Sequence, residues 1–137
     1  MRTPATKAPG ALTFERAYPG TADQPRRVRA DLTEVAGTCP ARDELMLLAS
    51  ELAANAVLHS RSGRPGGVFT VQATLYPGDY ARVEVIDQGG PWPAGTHDYE
   101  HGRGLAVVAA TAGEGNWGIE GDVSSRVAWF RLDWPRP

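Results

Sequence analysis

The sequence predicts an α+β domain, built as a two-layer α/β sandwich with a mixed, mainly antiparallel sheet and the helices on one face. Two observations carry this prediction. Two amphipathic helical segments follow each other early in the chain, and most strand-like segments come after them. Tight turns join those later strands in pairs, which is typical of antiparallel hairpins. A doubly wound sheet would instead alternate strands with helices along the chain.

Length and composition are those of a single ordinary domain. The chain has 137 residues, 42% hydrophobic and 22% charged, which is enough for a proper core. Its net charge of −2 gives no basic surplus for binding nucleic acid or an anionic membrane. The single cysteine, Cys39, excludes an internal disulfide. No signal peptide is visible, and no apolar run reaches the roughly 20 residues of a membrane-spanning helix. We therefore expect a cytoplasmic protein.

The chain divides into three predicted parts. Residues 1–10 carry two prolines and form a flexible leader, residues 11–134 form the domain, and residues 135–137 form a short tail. The domain begins with a strand from Leu12 to Tyr18, in which apolar and polar residues alternate until Pro19 and Gly20 end it.

The first helix follows this strand. Thr21 or Asp23 can cap it, and Gly37 is a plausible stop. Its apolar stripe recurs at helical spacing and consists of Val28, Leu32 and Val35. Three arginines lie mostly on the other side: Arg26, Arg27 and Arg29. They are most simply a solvated face, and the alternative is a face that binds a protein.

The second helix carries the first candidate site. It opens within Pro40–Asp43 and ends before a loop at Arg61–Gly67, and its buried stripe is Leu45, Leu48, Leu52 and Ala56. Glu51 and Asn55 stand four residues apart, so a helix places them side by side, and His59 extends their stripe by one turn. Taken alone, this pattern fits a core helix with a solvated glutamate and a hydrogen-bonded asparagine. The alternative is a pair of polar groups that wait for a ligand.

Two strands come next, Val68–Tyr76 and Tyr80–Asp87, and the tight turn between them predicts a hairpin. The following segment, residues 88–101, is rich in glycine and proline, and so long a loop is usually functional or mobile.

One helix and one hairpin are predicted for the carboxyl-terminal part of the chain. A short apolar helix is predicted over residues 105–110, with Gly113 and Gly115 ending it. A last hairpin is predicted from Trp117–Glu120 and Arg126–Asp133.

Two further segments suit a ligand. Asp87 ends a strand, and its carboxylate can accept hydrogen bonds from a ligand amino group, while Gly89 lets the backbone approach a flat ring. The alternative is a simple turn signal. Gly102, Arg103 and Gly104 open a helix, whose free amide groups and positive dipole end suit phosphate oxygens. The alternative there is an ordinary junction between a loop and a helix.

Several other sites are excluded or disfavoured. Val107 stands where a dinucleotide-binding fingerprint has glycine or alanine, and no Gly-Lys-Ser or Gly-Lys-Thr of a phosphate-binding loop occurs. His97 and His101 are four residues apart but lack a well-defined set of further ligands for zinc. Cys39 has no nearby histidine or acid that would mark it as a nucleophile.

Taken in chain order, the motifs form one pattern. They are Glu51–Ser60, Val85–Pro93 and His101–Leu105, with the long loop before the last. This pattern resembles the GHKL ATPase superfamily of gyrase, the heat-shock chaperone, sensor histidine kinases and MutL, which share the Bergerat fold. In particular it resembles the short, single-domain anti-sigma-factor serine kinases. The resemblance extends from the first strand to Trp129.

The resemblance implies a role for each motif. Asn55 would coordinate the Mg²⁺ that bridges the phosphates of ATP, and Glu51 would be the general base or would orient the nucleophile. Asp87 would bond the amino group of adenine, and Gly89 would let the ring seat. Residues 90–101 would form a lid over ATP. The remaining cofactor-binding residues would be Gly102, Arg103, Gly104 and Leu105.

Two positions depart from the family pattern. Many relatives have glycine, a basic residue and threonine before the last strand, and that threonine helps to hold adenine through water. Here Ser125, Arg126 and Val127 stand in those places, so that Val127 lacks the hydroxyl. The departure implies weaker nucleotide binding, or a substitute hydroxyl from a neighbouring serine, Ser124 or Ser125. The family also has a partner-binding arginine on the first helix, and Arg27 lies near that position.

The function that the resemblance implies is a serine/threonine kinase. Such a protein binds a sigma factor or a similar target and inactivates an anti-anti-sigma protein by phosphorylation. A second hypothesis is an ATP-binding switch that sequesters a partner without phosphotransfer, and Glu51 favours the first because a pure binder needs no base. The catalytic fragment of a sensor kinase is disfavoured, since no membrane segment, coiled coil or phosphoacceptor helix precedes the domain. The resemblance also suggests a homodimer.

Overall fold

The structure, a computed structural model, describes residues 11–90 and 103–134. Every strand and helix that the sequence predicts is present. The elements in chain order are β1 (Leu12–Pro19), α1 (Gln24–Ala36), α2 (Arg42–His59), a 3₁₀ turn (Arg61–Gly63), β2 (Val68–Tyr76), β3 (Tyr80–Asp87), α3 (Arg103–Ala112), β4 (Trp117–Gly121) and β5 (Arg126–Asp133). The predicted leader, the tail and the segment of residues 91–102, with His97, His101 and Gly102, lie outside the described residues.

The strands form one five-stranded sheet in the order β1-β2-β3-β5-β4. Each neighbouring pair is antiparallel. The predicted α+β sandwich is therefore confirmed, and its sheet is antiparallel throughout the described residues. The chain leaves the sheet after β3, forms α3, and returns to the far edge as β4, so that β5 lies beside β3.

Helix α2 lies at the centre of the helical layer. It packs against α1 on one side and α3 on the other, and it also contacts β2, β3 and β5. The predicted stripe of Leu45, Leu48, Leu52 and Ala56 is buried, and so are Ala49 and Ala53. A helix with neighbours on several sides must be apolar around most of its circumference, and the small alanines allow those neighbours to approach closely.

Alternation along the strands builds the other half of the core. In β2, the side chains of Phe69, Val71, Ala73 and Leu75 are buried, and the residues between them are partly exposed. β3 and β5 continue the same layer with Val83, Val85 and Phe130. This is the period of two that a sheet with one covered face requires.

The ends of α1 match the sequence prediction in position, although the expected cap is not formed. Asp23 is the residue before the helix, but its side chain makes no capping hydrogen bond. Its carboxylate instead accepts bonds from the Thr21 hydroxyl and the Gln24 amide. Gly37 ends the helix at a φ of 54°, which is a conformation that favours glycine.

No helix within residues 11–90 and 103–134 combines the length and the apolar character that crossing a membrane would need.

Candidate functional site

The polar stripe of α2 faces no partner within the described chain. Glu51 and Asn55 are one helical turn apart, about 6 Å along the axis. Asn55 is only 8% exposed, yet neither side chain makes a hydrogen bond or an ion pair to any residue in 11–90 or 103–134. Buried amide groups in folded proteins are almost always satisfied. The sequence left open a hydrogen-bonded core asparagine, and the structure instead leaves the carboxamide of Asn55 available to a ligand.

Asp87 is the last residue of β3 and is buried, with 4% of its surface exposed. Its Oδ1 atom accepts two hydrogen bonds, from the Gly89 amide at 2.7 Å and from Nε of Arg126 at 3.3 Å. Among the described residues, Oδ2 accepts none. One carboxylate oxygen is therefore fixed by the protein, and the other is the oxygen that a ligand can use.

The glycines after β3 are required by the protein backbone itself. Gly89 has a φ of 68°, and a Cβ atom there would lie 2.5 Å from the carbonyl oxygen of Val123. Gly89 also accepts a hydrogen bond from the Arg61 amide, and Gly90 donates one to Val123, each at 2.8 Å. This segment is thereby fixed between the connection after α2 and the turn before β5. The seating of a ring on Gly89 stays a prediction.

Arg126 is a residue of the site that the sequence did not single out. It lies directly opposite Asp87 in the β3–β5 register, and both side chains are 3% exposed. Its Nη2 atom donates a hydrogen bond of 2.6 Å to the carbonyl oxygen of His59, the last residue of α2. The strand pattern carried a signal, because Arg126 falls in the same alternation as the buried residues Ala128, Phe130 and Leu132.

The same register places Val127 on the opposite face of the sheet. Val127 pairs with Ile86 and Glu120, whose side chains point away from the helices. A hydroxyl at position 127 would therefore not face Asp87, and the residue that does face it is a cation. Both predicted substitutes, Ser124 and Ser125, are exposed in the turn between β4 and β5, where their amides bond to the Asp122 carboxylate.

Arg126 connects two of the three predicted motifs, the one on α2 and the one at the end of β3. Through Asp87 it contacts the end of β3, and through His59 it contacts the end of α2. His59 lies one helical turn beyond Asn55 and is the last residue of α2. The stripe of α2 and the carboxylate of Asp87 therefore lie at the same end of the sheet.

Helix α3 begins at Arg103 and includes Gly104. The first turn of any helix has amide groups without intrahelical partners, and this is the property that the phosphate prediction requires. Leu105 is 4% exposed and belongs to the hydrophobic core, together with Val108. Its side chain anchors the start of α3 against that core.

A pocket of about 370 Å³ is formed by the loop after α2 and by residues that follow β3 and β4. It is lined by Arg61, Pro65, Gly66, Gly67, Gln88 and Ser124. The lining does not include Glu51, Asn55 or Asp87, although Gln88, the residue after Asp87, contributes to it.

The donor set on α2 suits a hard cation better than zinc. Within the described residues, no group of three or more histidine, cysteine, aspartate or glutamate side chains could hold a metal. A carboxamide oxygen from Asn55 is the type of ligand that Mg²⁺ accepts, because this ion takes one or two protein oxygens and completes its shell with water and substrate phosphates. Asn55 thus fits the predicted Mg²⁺, provided that a nucleotide brings the phosphates.

The comparisons define the class of this protein. Residues 17–122 match the family model described as histidine kinase-like ATPase domain. The match covers more than half of the chain, so the chain belongs to this family, and the resemblance to the GHKL superfamily is confirmed.

A solved structure supports the same fold. The chain is similar to the RsbU and RsbW domains of Rv1364c from Mycobacterium tuberculosis, with a TM-score of 0.68 and 23% sequence identity. The match covers 91% of this chain and 33% of that one, so this chain spans about a third of that protein's length. At this identity the likeness supports the fold alone. No curated protein sequence matches the chain.

Proposed function

We propose that this domain binds ATP with Mg²⁺ and acts as an anti-sigma-factor serine/threonine kinase that phosphorylates an anti-anti-sigma protein. Membership of the histidine kinase-like ATPase family supports nucleotide binding. The observation that carries the proposal is the buried carboxamide of Asn55, which has no partner among the described residues and lies one turn from Glu51.

The three elements of the site supply three kinds of contact. Oδ2 of Asp87 accepts a hydrogen bond from the amino group of adenine. Asn55 supplies an oxygen ligand to Mg²⁺, which when bound neutralises charge on the phosphates. The first turn of α3 at Arg103 receives phosphate oxygens through its amide groups.

Glu51 has the properties of the proton acceptor. Its carboxylate is partly buried and makes no ion pair within the described chain. In the transfer, the hydroxyl oxygen of a substrate serine or threonine forms a bond to the γ-phosphorus. The bond from that phosphorus to the bridging oxygen of ADP breaks, and the hydroxyl proton passes to Glu51. Phosphoryl transfer requires positioning and charge neutralisation more than covalent chemistry, and a positioned base accounts for the remainder.

The partners we propose are a sigma factor, an anti-anti-sigma protein, or both, with a second copy of the chain forming a homodimer. Arg26 and Arg27 are exposed on α1 and provide a basic surface for such a partner. Arg29 differs from them, because its guanidinium donates to the Ser50 hydroxyl at 3.0 Å and joins α1 to α2.

A transfer assay tests the proposal. The domain is mixed with Mg²⁺, labelled ATP and a candidate anti-anti-sigma protein, and label on that protein is measured. Glu51→Gln should lower the rate by about 10² to 10⁴-fold, the usual contribution of a general base, with nucleotide affinity retained. Glu44→Gln is the matched control, because Glu44 is an exposed acid on the same helix.

The outcomes separate the two hypotheses. Transfer that survives Glu51→Gln at the wild-type rate would remove the base role. ATP binding without transfer to any candidate would favour the partner-sequestering switch. Absence of ATP binding by the wild-type domain would contradict both.

A further inference from the structure

We propose that Arg126 is a positioning residue for base recognition. It orients the Asp87 carboxylate so that a single acceptor oxygen, Oδ2, faces the ligand, and the site thereby selects a purine with a 6-amino group over one with a 6-oxo group. This inference rests on the proposed nucleotide binding and adds to it the residue that positions the base-recognising carboxylate.

The contacts of Arg126 fix its guanidinium on two sides. Nε lies 3.3 Å from Oδ1 of Asp87, and Nη2 lies 2.6 Å from the carbonyl oxygen of His59. A guanidinium presents its donors in a rigid plane, so two bonds to different elements determine its orientation. Lysine, with one nitrogen on a flexible chain, does not provide two fixed donors at this separation.

Burial makes this pair hard to rearrange. Both side chains are 3% exposed. A carboxylate and a guanidinium removed from water are each costly, and they stay buried because they face each other. Rotation of Asp87 away from Arg126 would leave two uncompensated charges, so the carboxylate keeps the orientation in which Oδ1 points to the arginine.

The two oxygens of Asp87 consequently have different roles. Oδ1 accepts from Nε of Arg126 and from the Gly89 amide, and both groups are donors only. Oδ2 is left as an acceptor with no hydrogen to give. It can receive the N–H of a 6-amino group, whereas the oxygen of a 6-oxo group would meet it as a second acceptor. Sites built around such a hydrogen bond discriminate strongly against the analogue that cannot make it.

The experiment compares binding of adenosine diphosphate and inosine diphosphate by calorimetry, because these ligands differ in the 6-amino and 6-oxo group. The wild-type domain should prefer adenosine diphosphate by roughly tenfold or more. Arg126→Met should reduce that ratio at least several-fold, and Arg126→Lys should restore part of it. Arg131→Met is the matched control, because Arg131 lies on the same strand, on the opposite face, with its own ion pair to Asp133. It should leave the ratio unchanged.

Asp87→Asn provides a second test that does not depend on removing the arginine. Both neighbours of Oδ1 are donors, so the asparagine must place its carbonyl oxygen toward Arg126 and its NH₂ group toward the ligand. The preference should then invert, with inosine diphosphate bound more tightly than adenosine diphosphate.

Each outcome has a defined meaning. A folded Arg126→Met protein with the wild-type ratio, or an Asp87→Asn protein that still prefers the 6-amino base, overturns the positioning role while the proposed function stands. A wild-type domain that binds neither diphosphate overturns the proposed function and this inference with it.

Discussion

Tyr18 shows how a single side chain joins the first strand to the first helix. Its ring stacks on Phe69 with 5.4 Å between the centroids, and its hydroxyl donates a hydrogen bond of 2.7 Å to Oδ2 of Asp31 on α1. Arg16 donates to the same oxygen at 2.8 Å. Burial and the bond to the Asp31 carboxylate raise the pKa of Tyr18 well above its usual value.

Replacing Tyr18 by phenylalanine should therefore affect stability in a pH-dependent way. At neutral pH the variant should lose about 1 kcal/mol of unfolding free energy, because one partly buried hydrogen bond is removed. The folded-state pKa is raised, so the contribution of the neutral phenol is fully present below about pH 10 and declines as the pH rises above it. Urea denaturation at a series of pH values should show the two proteins converging above pH 10. Parallel curves would contradict this account.

The contact between Arg126 and Asp87 could not be predicted from the sequence around either residue. Local pattern accounts for the spacing of Glu51 and Asn55 on a helix and for Asp87 at the end of a strand, two residues before Gly89. The structure has the first two residues on α2 and Asp87 at the end of β3. The partner of Asp87 depends on which strand lies beside β3 and in what register. Local pattern does not determine a pairing across 39 residues, so the contact between Asp87 and Arg126 became visible only in the structure.

At the scale of the elements, the turn after β3 depends on a close approach between two connections. A Cβ atom at Gly89 would lie 2.5 Å from the carbonyl oxygen and 2.6 Å from the carbonyl carbon of Val123. Gly78, in the turn between β2 and β3, has a similar positive φ of 83° but nothing within 4 Å of a Cβ atom. Comparing Gly78 with Gly89 separates two costs of a substitution. Both positions share the strain of a positive φ, and only Gly89 adds a steric clash with the backbone.

Gly78→Ala should cost about 1 kcal/mol of unfolding free energy, the usual penalty for a left-handed alanine. Gly89→Ala should cost about 3 kcal/mol or more, because it adds a clash with backbone atoms that cannot move freely. Chemical denaturation of both variants measures the difference. Equal losses would show that the contact between Gly89 and Val123 yields easily.

The elements themselves were predictable because each has a local cause. β2 and β3 alternate with period two and meet at a tight turn, and α1 ends at a glycine with positive φ. The sheet order was not predictable in the same way. It depends on the return of the chain through α3 and β4, which places β5 between β3 and β4.

For the whole molecule, the arrangement of α2 means that a ligand on its polar stripe should stabilise the entire domain. α2 contacts both other helices and three strands, and Arg126 joins its end to β3 and β5. Unfolding of such a domain is expected to be cooperative. A ligand that binds only the folded state then raises the stability by an amount fixed by its concentration and affinity.

Adenosine diphosphate with Mg²⁺, at a hundred times its dissociation constant, should add about 2.7 kcal/mol to the unfolding free energy. For a domain of this size that corresponds to a rise of roughly 10 °C in Tm. Removing Mg²⁺ with EDTA should abolish most of the rise, and Asn55→Ala should make the remaining shift insensitive to EDTA, because the metal has lost its protein ligand. Thermal denaturation of the wild-type and Asn55→Ala proteins, each with and without EDTA, measures all four conditions.

Ser50→Ala is the control, since Ser50 is a buried polar residue of the same helix whose hydroxyl already donates to the Leu47 carbonyl and accepts from Arg29. An Asn55→Ala protein with the full wild-type response to Mg²⁺ would show that the metal is held elsewhere.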